Sequence, residues 1–382
     1  MIHTELLNLR KELHKNPELS SFEFETAIRI RKFIEKHNPT SIIENIGGAG
    51  LAVIYEYKKK GKSITIRCEL DALPIQEENQ FSHQSKNKGV SHKCGHDGHM
   101  AIVSGLIFWI KNQSFESGKI ILLFQPAEET GKGAYQVIKD NKFKELKTDY
   151  YFALHNIPKE PLNSIILIEK GFSAEVQSLI IRVKGKESHA AEPENGINPA
   201  LGLSDIITIM SELNITNPDN DNFAILTPVH VNMGQQSYGI SPAKGELHYT
   251  ARTWNNQKML ILKSQIDALV KKTCQMHTLE YKLEWLEYFP ASHNNIDCNN
   301  YIEKAAQENK FKIIKRPYPF KFGEDFGWFS KEYKTAMFGL GAGINSPALH
   351  NADYDFPDEI IETGITMFKS IISNIMKEKK EL

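Results

Sequence analysis

The chain has 382 residues, and its 46 lysines and arginines nearly balance its 47 aspartates and glutamates, for a formal net charge of -1. Because a phosphate-binding surface needs a basic excess, this balance argues against nucleic acid as the main partner. A hydrophobic share of 41% and a charged share of 24% are ordinary for a globular protein and exclude a disordered, collagen-like or coiled-coil chain. At roughly 150 residues per domain, the length predicts two or three domains.

The sequence shows no pattern of export or membrane insertion. Its first residues, MIHTELLNLRKELHKNPELS, lack the apolar segment and the small-residue cleavage site of a signal peptide. No apolar run approaches the roughly 18 residues that span a bilayer, so we expect no membrane partner. The four cysteines are widely spaced and do not suggest a disulfide framework. These features predict a cytoplasmic protein with reduced thiols.

Helix and strand patterns alternate through residues 1–175, which predicts an α/β layer. The predicted elements, in order, are a helix at 4–15, a helix at 22–37, strands at 51–57 and 63–70, a helix at 98–111, a strand at 119–125, a helix at 131–140 and a strand at 149–156. The polar segment KKKGK joins the first two strands, so we expect these to form a hairpin.

The pattern changes near residue 175. From there the sequence predicts a strand at 176–185, a helix at 197–213, strands at 222–232 and 245–253, a helix at 257–275 and a strand at 279–289. This βαββαβ order is typical of a ferredoxin-like domain. The α/β pattern then returns, with a helix at 299–309, a strand at 334–339 and a helix at 358–377. We therefore expect one discontinuous domain, 1–175 and 291–382, with a smaller domain, 176–290, inserted in it.

Five segments concentrate side chains that bind metals or move protons. They are ELDALP with Glu69 and Asp71, CGHDGH with Cys94, His96, Asp97 and His99, QPAEET with Glu128 and Glu129, LHNIP with His155, and PALHNADYDFP with His350. Thiolate, imidazole and carboxylate groups together suit borderline-soft divalent metals. Several of the segments follow apolar strand runs, and ligands of α/β sheets bind at strand ends.

Each of these residues also has an ordinary structural interpretation. Cys94 alone would be a small buried residue, His350 alone a surface histidine, and the Glu128–Glu129 pair a solvated one. From the spacing of these residues alone, a shared metal site and a chance set of unrelated residues are equally good interpretations. Two other classes are disfavoured: no GxSxG elbow of a serine hydrolase is present, and GLGAG at 339–343 lacks the lysine of a phosphate loop.

The sequence resembles the metal-dependent amidohydrolase superfamily of aminoacylases and metal-dependent carboxypeptidases. The most similar branch contains N-acyl-amino-acid amidohydrolases, hippurate hydrolases, auxin-amino-acid conjugate hydrolases and N-acetyldiaminopimelate deacetylases. The matching segments cover nearly the whole chain: LRKELHKNPELS, FETA, ELDALPI, HKCGHDGHMA, LLFQPAEETGKGA, HNIP, SHAAEPENGINPA, TART, GEDFGWF and LHNADYDF. The resemblance implies a metallopeptidase-like catalytic domain, with a central mixed sheet flanked by helices, and an inserted ferredoxin-like lid that forms a homodimer.

The family pattern implies two divalent metal ions per subunit. Cys94 would bridge them, Glu129 and His350 would complete one site, and His96 and His155 would complete the other. Zinc, manganese, nickel and cobalt all suit this mixture of ligands. The implied reaction is hydrolysis of the amide bond of an N-acyl-amino acid, a small-molecule substrate, by a metal-activated water.

The resemblance also implies roles for Glu128, Asp71 and His189, and side-chain chemistry suggests one for Arg252. Glu128 matches the general base, and Asp71 matches a second catalytic carboxylate that orients the metal site. His189, in the lid, matches a residue that reaches the active site of a partner subunit and helps to polarise the scissile carbonyl. Arg252 is a weaker candidate that would bind a substrate carboxylate, and a lid ion pair explains it equally well.

Some other residues have expected supporting roles, and some differ from the family pattern. We expect His99 to support the site or pack its helix, and Asp97 to orient a metal-bound imidazole. Glu69 stands where aspartate is more usual, and Gly239 lacks the amide that binds substrate in relatives. A dipeptidase or carboxypeptidase of the same superfamily is therefore an alternative. A non-catalytic binding protein on this fold is another, although such proteins usually lose ligands and none is lost here.

Overall fold

The structure is a computed structural model that describes residues 2–377. It divides the chain into two compact units. Unit 1 comprises Met1–Phe172, Ser292–Tyr318 and Glu324–Leu382, and unit 2 comprises Ser173–Ala291 and Pro319–Gly323. Among the described helices, none combines the length and the apolar character that a membrane span requires.

The first part of unit 1 alternates helices and strands as its sequence pattern predicts. Its elements are α1 (Ile2–Lys15), α2 (Phe24–Ile34), β1 (Ser41–Ile46), β2 (Gly50–Glu56), β3 (Lys59–Glu69), α3 (His96–Gly105), α4 (Ile107–Ile110), β4 (Ser117–Gln125), α5 (Gly133–Lys139), α6 (Asn141–Lys144), β5 (Tyr150–Ile157) and β6 (Ile165–Ile168). The short strands β1 and β6 were not predicted, because runs of four to six residues carry little periodicity.

Unit 2 has the predicted βαββαβ order. Its elements are β7 (Glu175–Lys184), β8 (Ser188–His189), α7 (Ala200–Glu212), β9 (Ala224–Met233), β10 (Ile240–Ser241), β11 (Lys244–Thr253), α8 (Asn256–Met276) and β12 (Glu280–Phe289). The long strands form an antiparallel sheet in the order β12-β7-β11-β9, and both helices pack against one face of it through buried side chains such as Leu179, Leu247 and Ile266. This is a ferredoxin-like arrangement.

The chain completes unit 1 after residue 291. The remaining elements are α9 (Ile296–Glu308), β13 (Ile313–Arg316), α10 (Gly327–Ser330), β14 (Lys334–Gly341) and α11 (Ile361–Lys377). Within the described part of unit 1, one mixed sheet of eight strands runs in the order β1-β2-β4-β3-β5-β14-β6-β13. Helices α3, α9 and α11 pack on one face of this sheet, and α5, α6 and α10 contact it from the other.

The predicted hairpin of β2 and β3 is wrong. Strand β4 lies between these two strands, antiparallel to β2 and parallel to β3. The apolar run from Ile120 to Phe124 in β4 is completely buried. A strand buried on both faces is best accommodated in the interior of a sheet, with a partner on each edge, and this tertiary demand overrides the turn signal of KKKGK.

Candidate metal centre

Neighbouring parallel strands bring several of the predicted site residues to one edge of the unit 1 sheet. Asp71 follows β3, Glu128 follows β4, and His155 lies within β5. Strand β3 pairs parallel with both β4 and β5. Because the carboxyl ends of parallel strands meet at the same edge, these side chains converge on one place.

A glycine-containing turn brings Cys94 and His96 to the same edge. Gly95, between them, has a φ of 96°, in the region that favours glycine. A Cβ atom on Gly95 would lie 2.7 Å from the Oδ1 atom of Asn156, so no larger residue fits without displacing that side chain. His96 then begins α3, and its side chain is almost completely buried.

His350 enters from the loop after β14. Its φ of 66° is unusual for a residue with a side chain. The backbone N–H of His350 donates a 2.8 Å hydrogen bond to the carbonyl oxygen of Lys93, which ties this loop to the residue before Cys94. Ala127, directly before Glu128, has a similar φ of 53°. Strained backbone of this kind is often held at functional sites.

The side chains of these segments form two groups that share Cys94. One group is Cys94, His96 and His155, and the other is Cys94, Glu129 and His350. In each group the candidate ligand atoms lie within 4.8 Å of one another. The Sγ atom of Cys94 is 3.5 Å from Nε2 of His155, and Nε2 of His350 is 3.7 Å from Oε2 of Glu129. The fold therefore brings all five predicted ligands together.

Two buried atoms in this cluster lack the partners that buried polar atoms require. Nε2 of His96 and Oε1 of Glu129 are shielded from solvent, and neither has a hydrogen-bond partner among residues 2–377. The two atoms lie 3.9 Å apart. Buried polar atoms without partners are rare and call for an explanation, such as an ion. The residues present therefore fit divalent cations with sulfur, nitrogen and oxygen ligands.

Hydrogen bonds turn both buried imidazoles toward the cluster. The Nδ1 atom of His96 lies 2.9 Å from the carbonyl oxygen of Asp71, and Nδ1 of His155 lies 2.9 Å from the carbonyl oxygen of Asn156. A carbonyl oxygen only accepts hydrogen bonds, so each Nδ1 carries the proton. Nε2 is then the nitrogen of each ring that faces the cluster and can bind a metal ion.

The electrostatics of the cluster indicate that it is built for cations. Burial and the neighbouring Glu129 and Glu128 carboxyls raise the pKa of the Cys94 thiol well above its ordinary value. Burial also raises the pKa of Glu129, to about 7. Without cations these groups would hold protons, whereas a metal ion binds the thiolate and the carboxylate. Metal binding at this cluster should therefore release protons.

Glu128 and Asp71 lie beside the cluster in different surroundings. Burial, followed by repulsion from Glu324 and Glu129, raises the pKa of Glu128 well above its ordinary value. For Asp71 burial acts in the same direction, but the contact with His96 outweighs it and lowers the pKa. Asp71 accepts hydrogen bonds from Ser20 Oγ (2.7 Å) and from the backbone N–H of Glu129 (2.9 Å).

His99 has the supporting position expected for it. Its two ring nitrogens lie 2.7 Å from Oε2 of Glu69 and 2.5 Å from Oδ1 of Asn156. Both nitrogens are thus engaged. The glutamate at position 69, which departs from the family pattern, reaches this imidazole from the end of β3.

The contacts of Asp97 differ from its expected role, because within residues 2–377 its carboxylate bonds to Arg10 and His14 and not to His96 or His155. Its Oδ2 atom accepts a hydrogen bond from Arg10 at 3.2 Å and lies 2.8 Å from Nδ1 of His14. His14 contacts Glu77 as well, through its Nε2 atom at 2.9 Å. Asp97 therefore anchors the start of α3 to α1, and backbone carbonyl groups orient His96 and His155 instead.

The sequence also failed to predict a buried acidic cluster around Arg67. The guanidinium group of Arg67 contacts Glu69, Glu324 (3.0 Å) and Asp325 (2.8 Å), and all four side chains are buried. One cation among several carboxylates is a deficit of positive charge. Burial and this crowding raise the pKa of Asp325 to about 8, although Arg67 opposes the shift. The only sequence signal was the acidic pair in GEDFGWF, to which no role was given.

The contacts of His14 predict a pH-dependent contribution to stability. Burial disfavours the charged ring, but Asp97 and Glu77 outweigh it and raise the pKa of His14 from 6.5 to about 9. Because the pKa of His14 is higher in the folded chain than in the unfolded chain, protonation of His14 stabilises the fold. This stabilisation is fully present below pH 6.5 and is lost as the pH rises through about 9. The gap in unfolding free energy between wild type and His14→Asn should shrink by about 3 kcal/mol over this interval.

Urea unfolding at a series of pH values, at fixed free metal concentration, measures this gap. His3→Asn replaces an exposed histidine on the same helix and serves as the control, with no such trend. A gap for His14→Asn that stays constant between pH 6.5 and pH 9 would contradict a charged His14.

The two remaining candidates, His189 and Arg252, belong to unit 2. The side chain of His189 is exposed on β8, and its Nδ1 atom accepts a hydrogen bond from the backbone N–H of Ala191 at 3.0 Å. Arg252, on β11, donates a 2.6 Å hydrogen bond to the carbonyl oxygen of Lys321. The lid ion pair considered for Arg252 is therefore replaced by a hydrogen bond to the backbone.

Comparison with known proteins finds a peptidase family, related hydrolases and a similar solved structure. Residues 65–374 match the model of peptidase family M20/M25/M40. N-acetyl-L-cysteine deacetylase of Bacillus subtilis is 32% identical over 374 residues, which cover 97% of this chain and 88% of that protein. Hippurate hydrolase of Campylobacter jejuni is 27% identical over 375 residues, covering 98% of this chain and 97% of that protein. The crystal structure of Bacillus subtilis YXEP, described as a dinuclear metal binding peptidase, matches with a TM-score of 0.84 at 24% identity, over 98% of this chain and 99% of that one.

These relationships define a metal-dependent hydrolase that acts on amide bonds. The chain belongs to peptidase family M20/M25/M40. The family resemblance and the mixed α/β fold class are thereby confirmed. The two residue groups that share Cys94 fit divalent metal ions.

Proposed function

We propose that this chain hydrolyses the amide bond of an N-acyl-amino acid, with two divalent metal ions held at Cys94. The observation that carries the proposal is the pair of residue groups that share this cysteine, with Glu128 beside them. His96 and His155 would complete one metal site, and Glu129 and His350 the other. When bound, the metal pair supplies Lewis-acid polarisation of the substrate carbonyl and lowers the pKa of water.

In this proposal Glu128 moves the proton. Its Oε2 atom lies 3.9 Å from Nε2 of His96, and its Oε1 atom accepts a 3.3 Å hydrogen bond from the backbone N–H of Asp325. One oxygen is thus anchored and the other faces the cluster. Glu128 would take a proton from the attacking water and give it to the leaving amine, which must be protonated to depart. Asp71 would hold the His96 ring through its backbone carbonyl and the start of the Glu129 segment through its carboxylate.

The choice of substrate rests on the relatives. The names N-acetyl-L-cysteine deacetylase and hippurate hydrolase both describe hydrolysis of an acylated amino acid. Such a substrate carries a carboxylate, and Arg252 is our candidate to bind it through its guanidinium fork. The competing proposal is a dipeptidase or carboxypeptidase, which the family description also covers.

A substrate panel decides between these two proposals. We expect kcat/KM for N-acetyl, N-benzoyl or N-indoleacetyl amino acids to exceed kcat/KM for dipeptides and for C-terminal removal by at least about tenfold, a difference of 1.4 kcal/mol in transition-state stabilisation. Metal content should be measured on the same sample, so that a lack of metal is not mistaken for a lack of activity. A preference for dipeptides would favour the peptidase instead.

We also propose that the chain works as a homodimer through unit 2. Strand β9 is at an edge of the unit 2 sheet, and Val229, Val231 and Met233 on it are exposed by 59%, 53% and 39%. Long exposed edge strands with apolar side chains favour pairing with another chain. A dimer would also give a task to the exposed His189, which would polarise the scissile carbonyl in the active site of the partner subunit.

Mixed dimers test whether His189 acts across subunits. His189→Ala and Glu128→Gln should each be nearly inactive alone. In a heterodimer of the two, purified through different tags, one active site has both an intact Glu128 and the partner's His189, so about half of the wild-type activity should return. A fully active monomer, or a heterodimer as inactive as its parents, would contradict this proposal.

A further inference from the structure

The face of the unit 2 sheet opposite its helices carries a further cluster of potential metal ligands. The cluster consists of His230, Glu246 and His248, and we call it the open-face cluster. His248 on β11 lies directly opposite His230 on β9 in the antiparallel register. Glu246 is two residues before His248, so strand alternation places both side chains on the same face. Their neighbour Leu247 points to the other face and is completely buried among the helices.

The three side chains are close enough to share one ion. Their candidate ligand atoms lie within 4.8 Å of one another. The ring centroids of His230 and His248 are 5.0 Å apart, and Nε2 of His248 is 3.4 Å from Oε1 of Glu246. The pairing of β9 with β11 shifts register immediately after His248, and bulges of this type re-aim side chains at sheet edges.

The details of the cluster favour a cation. Nε2 of His248 is shielded from solvent, and within the described chain no group forms a hydrogen bond with it. The other carboxylate oxygen of Glu246 lies 3.4 Å from Nε of Arg182, which directs Oε1 toward the imidazole. Arg182 also contacts Glu284, so its charge is shared between two carboxylates. A carboxylate oxygen and an unsatisfied ring nitrogen that lie side by side can both serve as ligands of one ion.

We propose that the open-face cluster binds one zinc ion per chain, separate from the metal centre of unit 1. Two imidazoles and one carboxylate suit zinc, cobalt or nickel and disfavour magnesium and calcium, which prefer oxygen ligands. The three ligands leave a fourth tetrahedral position for water. This site is distinct from the proposed catalytic function, because none of its ligands belongs to the cluster around Cys94.

Zinc at this position would join β9 to β11 and stabilise the edge of the unit 2 sheet. The imidazoles stand on the face of the sheet, whereas an edge strand pairs within the plane of the sheet. Zinc binding is therefore compatible with the dimer proposed above. Because the ion binds only the folded sheet, it should also raise the unfolding temperature of the protein.

Zinc stoichiometry of the full-length protein tests the proposal. Wild type and His248→Ala are dialysed against the same buffered zinc solution, and zinc per chain is measured by mass spectrometry. We expect His248→Ala to hold one zinc ion fewer than the wild type and to lose part of the rise in unfolding temperature. His293→Ala, which removes an exposed histidine outside the open-face cluster, should bind as much zinc as the wild type.

Two further variants keep the result decisive. If His248→Ala does not fold, as judged by circular dichroism, His230→Asn replaces it, because His230 is exposed and its loss leaves no buried cavity. Glu246→Gln should also lose the extra zinc ion. Equal zinc content in the wild type and in the folded variants would overturn the proposal. The test compares zinc per chain between each variant and the wild type. If the metal centre of unit 1 bound no zinc, the zinc content of all these proteins would fall equally, and the difference between them would not change.

Discussion

Replacing Glu128 with glutamine is expected to lower kcat by about 10³-fold, within the range of general acid–base catalysis. Glutamine keeps the size of the side chain and can still accept the hydrogen bond from the backbone of Asp325. It cannot take a proton from water and return it to the leaving amine. Since Glu128 is not among the ligand groups that share Cys94, the variant should bind metal as the wild type does.

Steady-state kinetics on a well-cleaved N-acyl-amino acid, with metal content determined in parallel, measures this effect. Glu145→Gln, an exposed glutamate of unit 1, is the matched control and should leave kcat unchanged. Full kcat in a folded, metal-replete Glu128→Gln protein would show that another group moves the proton.

Replacing Cys94 with alanine is expected to have the largest effect on metal content. Cys94 belongs to both ligand groups, whereas each of the other ligands belongs to only one. Loss of a group that merely orients a ligand costs about 10–100-fold in metal affinity, and loss of a shared ligand should cost more at both sites. Hydrolysis should therefore fall at least about 10²-fold at limiting metal.

His350→Ala and Cys298→Ala calibrate this result. His350 belongs to one group and is half exposed, so its loss should weaken mainly one of the two sites. Cys298 is a buried cysteine of α9 outside both groups, and its replacement should leave metal binding unchanged. Isothermal titration of each metal-free variant provides the affinities. Binding of two ions to Cys94→Ala with wild-type affinity would exclude a bridging cysteine.

The fold of unit 2 could be predicted well, because its signals are local. Alternating burial along β7 and β11, and helical periodicity in α7 and α8, define each element from its own residues. The partners of a buried strand depend on the whole sheet. Strand β4 therefore separates β2 from β3, although the turn between those two strands predicted a hairpin.

The candidate site was predictable only in part. Cys94, with His96 two positions later, is a weak local signal, and His155 and His350 entered through the family resemblance. The partners of Asp97 and of Arg67 could not be predicted. Arg67 meets Glu324 across 257 residues, and no local pattern encodes such a contact. Buried charge networks of this kind depend on which side chains the fold leaves without water.

The central claim is that the residues around Cys94 hold the metal ions that make this chain a hydrolase of N-acyl-amino acids. Titration of the metal-free protein with manganese, while hydrolysis of an N-acetylated amino acid is followed, tests it most directly. Manganese is the probe because the imidazole-rich open-face cluster binds it more weakly than zinc. We predict no hydrolysis without metal and a rate that saturates when two ions are bound per chain. Undiminished hydrolysis by the metal-free protein would contradict the account.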